Sequence, residues 1–178
     1  VPMIEQNSVL DEIRRLHEEH QTGVLLLANR QGERINVSFC EGMMDAVSSN
    51  KPNRRLGDYL AREGYLTTRT LDTVQTEAQR QKMVIGEAIV RKKLVDQGEV
   101  GLAVRRQSLE LIEYALKDSF KVSSFTNSLR SYYVPARITF PHILLELSRH
   151  RTEPFELEGD LQIVLNTDVD PSAYMWSP

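Results

Sequence analysis

The sequence lacks the features that mark secreted, membrane-spanning and fibrous proteins. Its 178 residues contain a single cysteine, Cys40, so no disulfide can form within the chain. Residues 1–15 hold no apolar run of signal-peptide length, and no stretch approaches the ~20 apolar residues that a membrane span needs. With 40% hydrophobic and 26% charged residues, the composition is that of a folded globular protein. We therefore expect a soluble, cytoplasmic chain with no membrane insertion.

Motifs of catalysis and metal binding are also missing. No Gly-x-x-x-x-Gly-Lys-Ser/Thr sequence occurs, so the chain has no P-loop for a nucleoside triphosphate. His17 and His20 lie three residues apart, but the order His-Glu-Glu-His is not His-Glu-x-x-His and no third ligand is suitably placed. No histidine or aspartate stands beside Cys40 to activate its thiol. The sequence predicts no catalytic residue, no metal site and no enzyme activity.

Charge is unevenly distributed although the net charge is only -3. Residues 152–178 hold six acidic residues and no lysine or arginine, whereas residues 51–107 hold twelve lysines and arginines against seven acidic residues. The basic surplus suits an anionic ligand or partner, although solvated helix faces are the commoner reason for such runs. A pI of about 5.9 and the lack of an interleaved aromatic and basic stripe argue against nucleic acid as a partner.

The first fifty residues predict a helix followed by a β-meander. Ser8 can cap a helix that runs to about His20. Residues 22–49 then contain three β-rich runs separated by the turn sequences Gln31-Gly32 and Glu41-Gly42. In the second run, Ile35, Val37 and Phe39 alternate with Asn36, Ser38 and Cys40. This alternation predicts one buried face and one wetter face, with Cys40 on the wetter one.

Residues 53–107 contain an internal repeat with an offset of 29 residues. The offset relates Gly57 to Gly86, Leu56 to Ile85, Leu60 to Ile89, Leu66 to Val95 and Leu71 to Val100. Each copy predicts a short helix, a turn, an N-cap and a longer helix. Thr67 caps the first long helix, and Asp96 with Glu99 forms a capping box for the second. Gly64 closes the first short helix in a left-handed conformation, and Lys93 takes that position in the second with some backbone strain.

The remaining sequence completes an α+β fold. The second long helix continues through residues 108–119, and a strand at 120–126 would complete the sheet begun at residue 22. A last helix should begin near Pro141, followed by an acidic segment, 151–178, that contains the strand-like run 161–165. We expect a small antiparallel sheet with an inserted repeat of two helix pairs at 53–107 and a packing C-terminal helix, all within 1–150. The acidic segment is expected to lead into a further region of a longer protein.

The sheet-forming residues resemble the PATAN domain family, named for the amino-terminal region of PatA-type response regulators. The matching positions are Thr22, Gly23, Leu25, Ile35, Phe39, Gly42, Met44, Ala46, Ile112, Leu116, Phe120 and Phe125. Ser119 and Val122 depart from the usual glycine and second aromatic. The resemblance spans about residues 8–150, and it implies a non-catalytic regulatory domain.

The inserted repeat resembles the MshEN-like N-terminal domain of type II secretion and pilus assembly ATPases, some of which bind cyclic di-GMP. The first copy matches at Arg55, Leu56, Gly57, Leu60, Gly64, Tyr65, Leu66 and Leu71, and the second keeps Gly86, Ile89, Val95, Ala103 and Gln107. The resemblance implies a dinucleotide site built from Arg55, Leu56, Gly57, Leu60, Gly86 and Gln107. The second copy has Val84 in place of arginine and Lys93 in place of glycine, and Ala78 replaces a closing glutamine in the first. A valine cannot grip a phosphate as a guanidinium can, so such a site would be lopsided.

Two functions follow as hypotheses. The leading one is a non-catalytic regulatory or scaffold domain that binds signalling or motility proteins in bacteria, with a homodimer as a further form of association. The alternative is a cyclic di-GMP sensor that works through the helical repeat, and no other cofactor is expected. Tyr132 and Tyr133 are either hinge packing or a stacking surface.

Overall fold

The helices and strands of the described chain follow one another in the predicted order. The computed structural model describes residues 8–128 and 130–149, which form six helices and four strands. They are α1 (Val9–Glu18), β1 (Gly23–Ala28), β2 (Arg34–Cys40), β3 (Met43–Ser49), α2 (Leu56–Arg62), α3 (Thr68–Gln81), α4 (Ile85–Arg91), α5 (Gln97–Lys117), β4 (Lys121–Thr126) and α6 (Phe140–Arg149). The α+β class is thus confirmed. The predicted strand at 161–165 and the acidic segment 151–178 lie outside the described residues.

The four strands form one antiparallel sheet in the order β3-β2-β1-β4. The first three strands are a meander in which Val37 lies opposite both Leu25 and Val47. β4 returns after the helical insert and pairs with β1, placing Phe125 opposite Leu25. Helices α2 to α5 are therefore a crossover connection within one sheet, as the sequence predicted. β3 and β4 are left as the two edge strands.

One face of the sheet carries the core. Leu25, Leu27, Ile35 and Val37 have no exposed surface, since alternate residues of neighbouring strands point to the same side. They share one hydrophobic cluster with helical residues that include Ile13, Leu16, Leu60, Ile89, Leu111, Ile112 and Ile143. Burying each such side chain contributes ~1.5–3 kcal/mol. Because the cluster joins the sheet to the insert, the same core stabilises both.

The opposite face of the sheet is less exposed to solvent than the alternation in β2 predicts. Asn36 and Cys40 are partly exposed, but Ser38 is buried. The reason is residues 130–139, which we call the strap, because they bring the Tyr132 hydroxyl into hydrogen-bonding distance of Ser38 Oγ. The strap has no periodic pattern, so its path cannot be predicted from the sequence.

The caps of the repeat follow the prediction with one correction. The Thr67 side chain accepts a hydrogen bond from the backbone N–H of Thr70 and so caps α3. Asp96 caps α5, but its carboxylate accepts from the N–H of Gly98 at 2.8 Å. The predicted capping box with Glu99 was therefore wrong in its partner, since the shorter two-residue turn already satisfies the Asp96 side chain.

The turns that end the two short helices have the same backbone conformation. Gly64 has φ of 81° and Lys93 has φ of 55°, so both lie in the left-handed region. This confirms the predicted strain at Lys93, where a side chain costs ~1–2 kcal/mol relative to the relaxed backbone.

Boundaries of the first and last helices differ slightly from the prediction. α1 ends at Glu18, before His20, whose φ of 50° breaks the helix. α6 begins at Phe140, one residue before Pro141. No helix in the described part of the chain is long and apolar enough to cross a bilayer.

A candidate binding cleft

A cleft of about 260 Å³ opens where the insert, the β3 edge and the strap meet. Its walls are the first turns of α2 and α4, one side of α5, residues 46–49 of β3, and strap residues 132–134. Apolar side chains dominate these walls, including Leu56, Ile85, Val100, Val104 and Val134. The cleft is therefore the described cavity most suited to an apolar guest.

The repeat brings the first turns of α2 and α4 together through close packing at its glycines. A Cβ on Gly57 would lie 2.6 Å from Cδ1 of Leu71, well inside contact distance. A Cβ on Gly86 would lie 3.4 Å from Cδ2 of Leu56, in ordinary contact. Helix packing thus accounts for Gly57 without any ligand, and it leaves Gly86 facing the cleft.

Four of the six residues that the MshEN resemblance implies as a ligand site line this cleft, and two do not. Arg55, Leu56, Gly86 and Gln107 come together from α2, α4 and α5. Leu60 has no exposed surface and belongs to the hydrophobic cluster, and Gly57 is buried against α3. Leu60 and Gly57 therefore lie outside the lining of the cleft, in the packed interior of the repeat.

Gln107 is held in place by the chain itself. It is 5% exposed, and its Nε2 donates a hydrogen bond to the Arg54 carbonyl oxygen at 3.0 Å. This bond fixes the loop that enters α2, so Gln107 positions the neighbouring Arg55 as well as lining the cleft.

The two copies of the repeat place side chains of different charge at the cleft. The guanidinium of Arg55 is exposed and forms no ion pair with any described residue. Its counterpart in the second copy, Val84, is 54% exposed and adds apolar surface instead. Glu87 also lines the cleft, but its carboxylate pairs with Arg91 at 2.6 Å. One free cation thus stands at an otherwise apolar site.

A polar network holds the entrance to the insert against the sheet. Lys51 Nζ donates to Tyr114 Oη at 3.1 Å and pairs with the Glu33 carboxylate at 2.5 Å, while the Tyr114 hydroxyl donates to Glu33. The guanidinium of Arg54 lies 3.4 Å from the centre of the Tyr114 ring. The hydrogen bond from Lys51, and then that from Tyr114, lowers the pKa of Glu33. This network fixes the backbone one residue before Arg55.

The strap forms a wall of the cleft that the sequence predicts only in part, through the two tyrosines. Tyr132, Tyr133 and Val134 line the cleft, and Tyr133 is 43% exposed. A Cβ on Gly101 would lie 3.1 Å from Cγ1 of Val134, so the glycine in α5 allows the strap to approach. An isolated glycine within a strongly helical pattern was the available signal. The two tyrosines differ in their surroundings. The Tyr132 hydroxyl hydrogen-bonds to Ser38, as packing at a hinge would require, whereas Tyr133 presents an exposed ring beside the cleft.

The strap is anchored at its other end by backbone pairing. Ile138 and Met44 exchange two hydrogen bonds, and the N–H of Ala136 donates to the Asp45 carbonyl oxygen at 2.6 Å. The Asp45 side chain is 8% exposed, and its Oδ1 lies 3.5 Å from Nε of Arg137. Burial raises the pKa of the Asp45 carboxyl, and the charge of Arg137 opposes that rise.

The His17 side chain makes a structural contact. Nδ1 of His17 lies 2.9 Å from the Gly42 carbonyl oxygen, which ties α1 to the turn before β3. Gly42 is needed there, because its φ is 77° and a Cβ would lie 2.6 Å from the His17 carbonyl oxygen. Within residues 8–128 and 130–149, no three histidines, cysteines or carboxylates come together to hold a metal ion.

Comparison of the chain with protein-family models, with curated proteins and with solved structures found no match to any of them.

Proposed function

We propose that this chain is a non-catalytic regulatory domain that acts in the cytoplasm by binding other signalling or motility proteins. The observation that carries the proposal is the cleft, a built apolar surface with one unpaired cation and no acid, base and nucleophile grouped for a reaction. The PATAN resemblance of residues 8–150 supports the same class of function.

Part of the cleft wall consists of exposed apolar side chains. Val84 and Tyr133 are among the five large apolar side chains of the described residues that are strongly exposed, and both line it. Exposed aromatic and aliphatic side chains beside a cavity are typical of binding hot spots, because they lose water when a partner docks.

A photo-crosslinking experiment tests this proposal. A photoreactive phenylalanine analogue replaces Tyr133 in the full chain, and a matched variant carries it at Leu145, which is exposed to a similar degree on α6. We expect a discrete crosslinked partner from position 133 in cells and not from position 145. Equal crosslinking from both positions, or none from position 133, would contradict the proposal.

Absence of turnover is the second part of the same proposal. The purified chain is expected to hydrolyse neither ATP nor GTP above a protein-free blank. Turnover that one point substitution abolishes would show an enzyme instead.

Cyclic di-GMP sensing is the second candidate, and the gathering of Arg55, Leu56, Gly86 and Gln107 at one cleft favours it. Val84 weakens it, because the second copy of the repeat offers no guanidinium to the second half of the ligand. A missing charge-assisted bond costs ~1.5–3 kcal/mol, or roughly tenfold to a hundredfold in affinity. We expect no binding, or weak binding that Arg55→Ala abolishes, in calorimetric titration of both proteins. Submicromolar binding lost only in Arg55→Ala would make the sensor the better assignment.

A further inference from the structure

The edge of β3 presents unpaired backbone groups to the cleft. Two backbone hydrogen bonds set the pattern of the sheet. The N–H of Asn50 donates to the carbonyl oxygen of Arg34, and the N–H of Asn29 donates to the carbonyl oxygen of Glu33. Along an antiparallel strand, the backbone N–H and C=O groups of successive residues point to opposite neighbours. The backbone groups of residues 34, 36 and 38 of β2 therefore point toward β3, and those of residues 46, 48 and 50 point toward β2. The backbone groups of Val47 and Ser49 therefore point away from the sheet.

These outward groups have no hydrogen-bond partner among the described residues. The strap pairs with β3 only at Met44 and Asp45, and then leaves the strand. Val47 and Ser49 are 4% and 9% exposed, and both line the cleft. Buried backbone N–H and C=O groups are almost always paired, so an open pair inside an apolar cleft indicates a place for an external partner.

We infer that the cleft binds an extended peptide of a partner protein, which adds to the edge of β3 and presents a carboxylate to Arg55; this inference rests on the proposed function. The peptide continues the pairing that the strap begins at Met44. The peptide backbone forms hydrogen bonds with the backbone groups of Val47 and Ser49. Alternate aliphatic side chains of the peptide enter the cleft between Val84 and Tyr133. The volume of about 260 Å³ suits one or two such side chains.

Charge favours an acidic residue at one end of that peptide. Arg55 follows β3 closely in sequence, lines the same cleft and has no ion pair within the described chain. An arginine can bind a carboxylate through two parallel hydrogen bonds. The guest is therefore an apolar strand with a carboxylate, whereas a basic peptide would meet like charge.

Selection from a random heptapeptide library displayed on phage, against the full chain, tests the inference. We expect enrichment of sequences that alternate aliphatic residues and carry aspartate, glutamate or a free C-terminus at one end. Binding of the synthetic peptide is expected to slow amide hydrogen exchange of Val47 and Ser49. Methylation of its pairing backbone nitrogens should weaken binding about tenfold or more, because methylation removes the donors and leaves the side chains.

Ser49 offers a matched pair of variants. Ser49→Pro removes the outward N–H without touching the bonds to β2, while Ser49→Ala keeps that N–H. Both variants lose the hydroxyl, which accepts a hydrogen bond from the Lys51 N–H at 3.1 Å, so the pair isolates the effect of the backbone donor. We expect Ser49→Pro to bind the peptide about tenfold more weakly than Ser49→Ala does, with thermal melts confirming that both variants fold. Arg55→Gln should weaken the binding of peptides that carry a carboxylate. It should leave unchanged the binding of the same peptides with that carboxylate replaced by an amide.

Several outcomes would overturn the inference. These are no enrichment, selected peptides that bind as helices, or binding that leaves the exchange of Val47 and Ser49 unchanged. Slowed exchange at these two amides that depends only on concentration of the chain would assign the edge to a second copy instead. If crosslinking from position 133 still captures a partner in any of these cases, the proposed function stands and only strand addition fails.

Discussion

At the scale of single residues, the two repeat glycines differ in the space around them. A methyl group at Gly57 would meet Leu71 at 2.6 Å, whereas one at Gly86 would find its nearest atom at 3.4 Å. Glycine to alanine within a helix gains ~0.5–1 kcal/mol, and overpacking costs ~1–3 kcal/mol. We expect Gly86→Ala to raise the free energy of unfolding by up to ~1 kcal/mol and Gly57→Ala to lower it by ~1–2 kcal/mol. Urea denaturation of both variants measures the contrast, and equal effects would contradict it.

Backbone strain at Lys93 gives a second prediction at this scale. Its φ of 55° suits glycine, which occupies the equivalent turn as Gly64. Lys93→Gly should therefore raise the free energy of unfolding by ~0.5–1 kcal/mol. The reciprocal Gly64→Lys is the control, and it should lower the same quantity by ~1–2 kcal/mol. A stabilising effect of both substitutions would show that turn conformation is not the cause.

Asp45 gives a prediction about pH. Burial raises the pKa of its carboxyl, so the folded chain binds that proton more tightly than the unfolded chain does. The contribution of this carboxyl to stability is fully present at a pH below its pKa in the unfolded chain, ~3.9. It is lost as the pH rises through its pKa in the folded chain. Asp45→Asn should therefore melt at a higher temperature than wild type near neutral pH, and the advantage should vanish in acid.

Glu33 is the control for Asp45, because its pKa shifts the other way. Hydrogen bonds from Lys51 and Tyr114 lower the pKa of Glu33, so its contribution is present above the unfolded value and is lost as the pH falls through the folded pKa. Glu33→Gln should thus be less stable than wild type near neutral pH, with a difference that shrinks in acid. If the stability difference from wild type changed with pH in the same direction for both variants, the opposite pKa shifts of Asp45 and Glu33 would be contradicted.

At the scale of elements, periodic patterns made most of the fold predictable and the aperiodic strap hid part of the site. The 29-residue offset predicted α2 to α5, and the run around Phe125 predicted a last strand that completes the sheet. Its place beside β1 is seen only in the structure. The strap could not be placed, because its pairing with Met44 and its contact near Gly101 depend on tertiary geometry. The resemblance therefore supplied four cleft residues, and only the structure showed Tyr133 and the open β3 edge with them.

Packing of the short helices gives a prediction for the repeat as a pair. Leu60 of α2 and Ile89 of α4 occupy equivalent positions and have no exposed surface. Leu60→Ala and Ile89→Ala should each lower the free energy of unfolding by ~2–5 kcal/mol, as large-to-small core changes do. Leu145→Ala, at a 44% exposed position, should change it by less than ~0.5 kcal/mol. Equal effects at all three positions would mean that the buried faces are wrongly assigned.

At the scale of the whole molecule, one hydrophobic cluster joins the sheet to the helical insert. Val37 in the central part of the sheet and Leu60 in the insert belong to the same cluster, and α5 contacts β3 directly. The network of Glu33, Lys51 and Tyr114 adds polar bonds across the same boundary. Because each part buries the apolar surface of the other, unfolding the insert alone would expose the core face of the sheet to water.

Cooperative unfolding of sheet and insert is the prediction that follows. The slowest amides of β1 and β2 should exchange with the same free energy as those of α5, since both exchange through global unfolding. Leu60→Ala lies only in the insert, yet it should lower the exchange free energy in both parts by the same ~2–5 kcal/mol. Native-state hydrogen exchange measures this residue by residue. If the sheet amides kept their wild-type protection while those of α3 and α5 exchanged faster, the insert would be an independent domain, and the cleft would lie between two units free to separate.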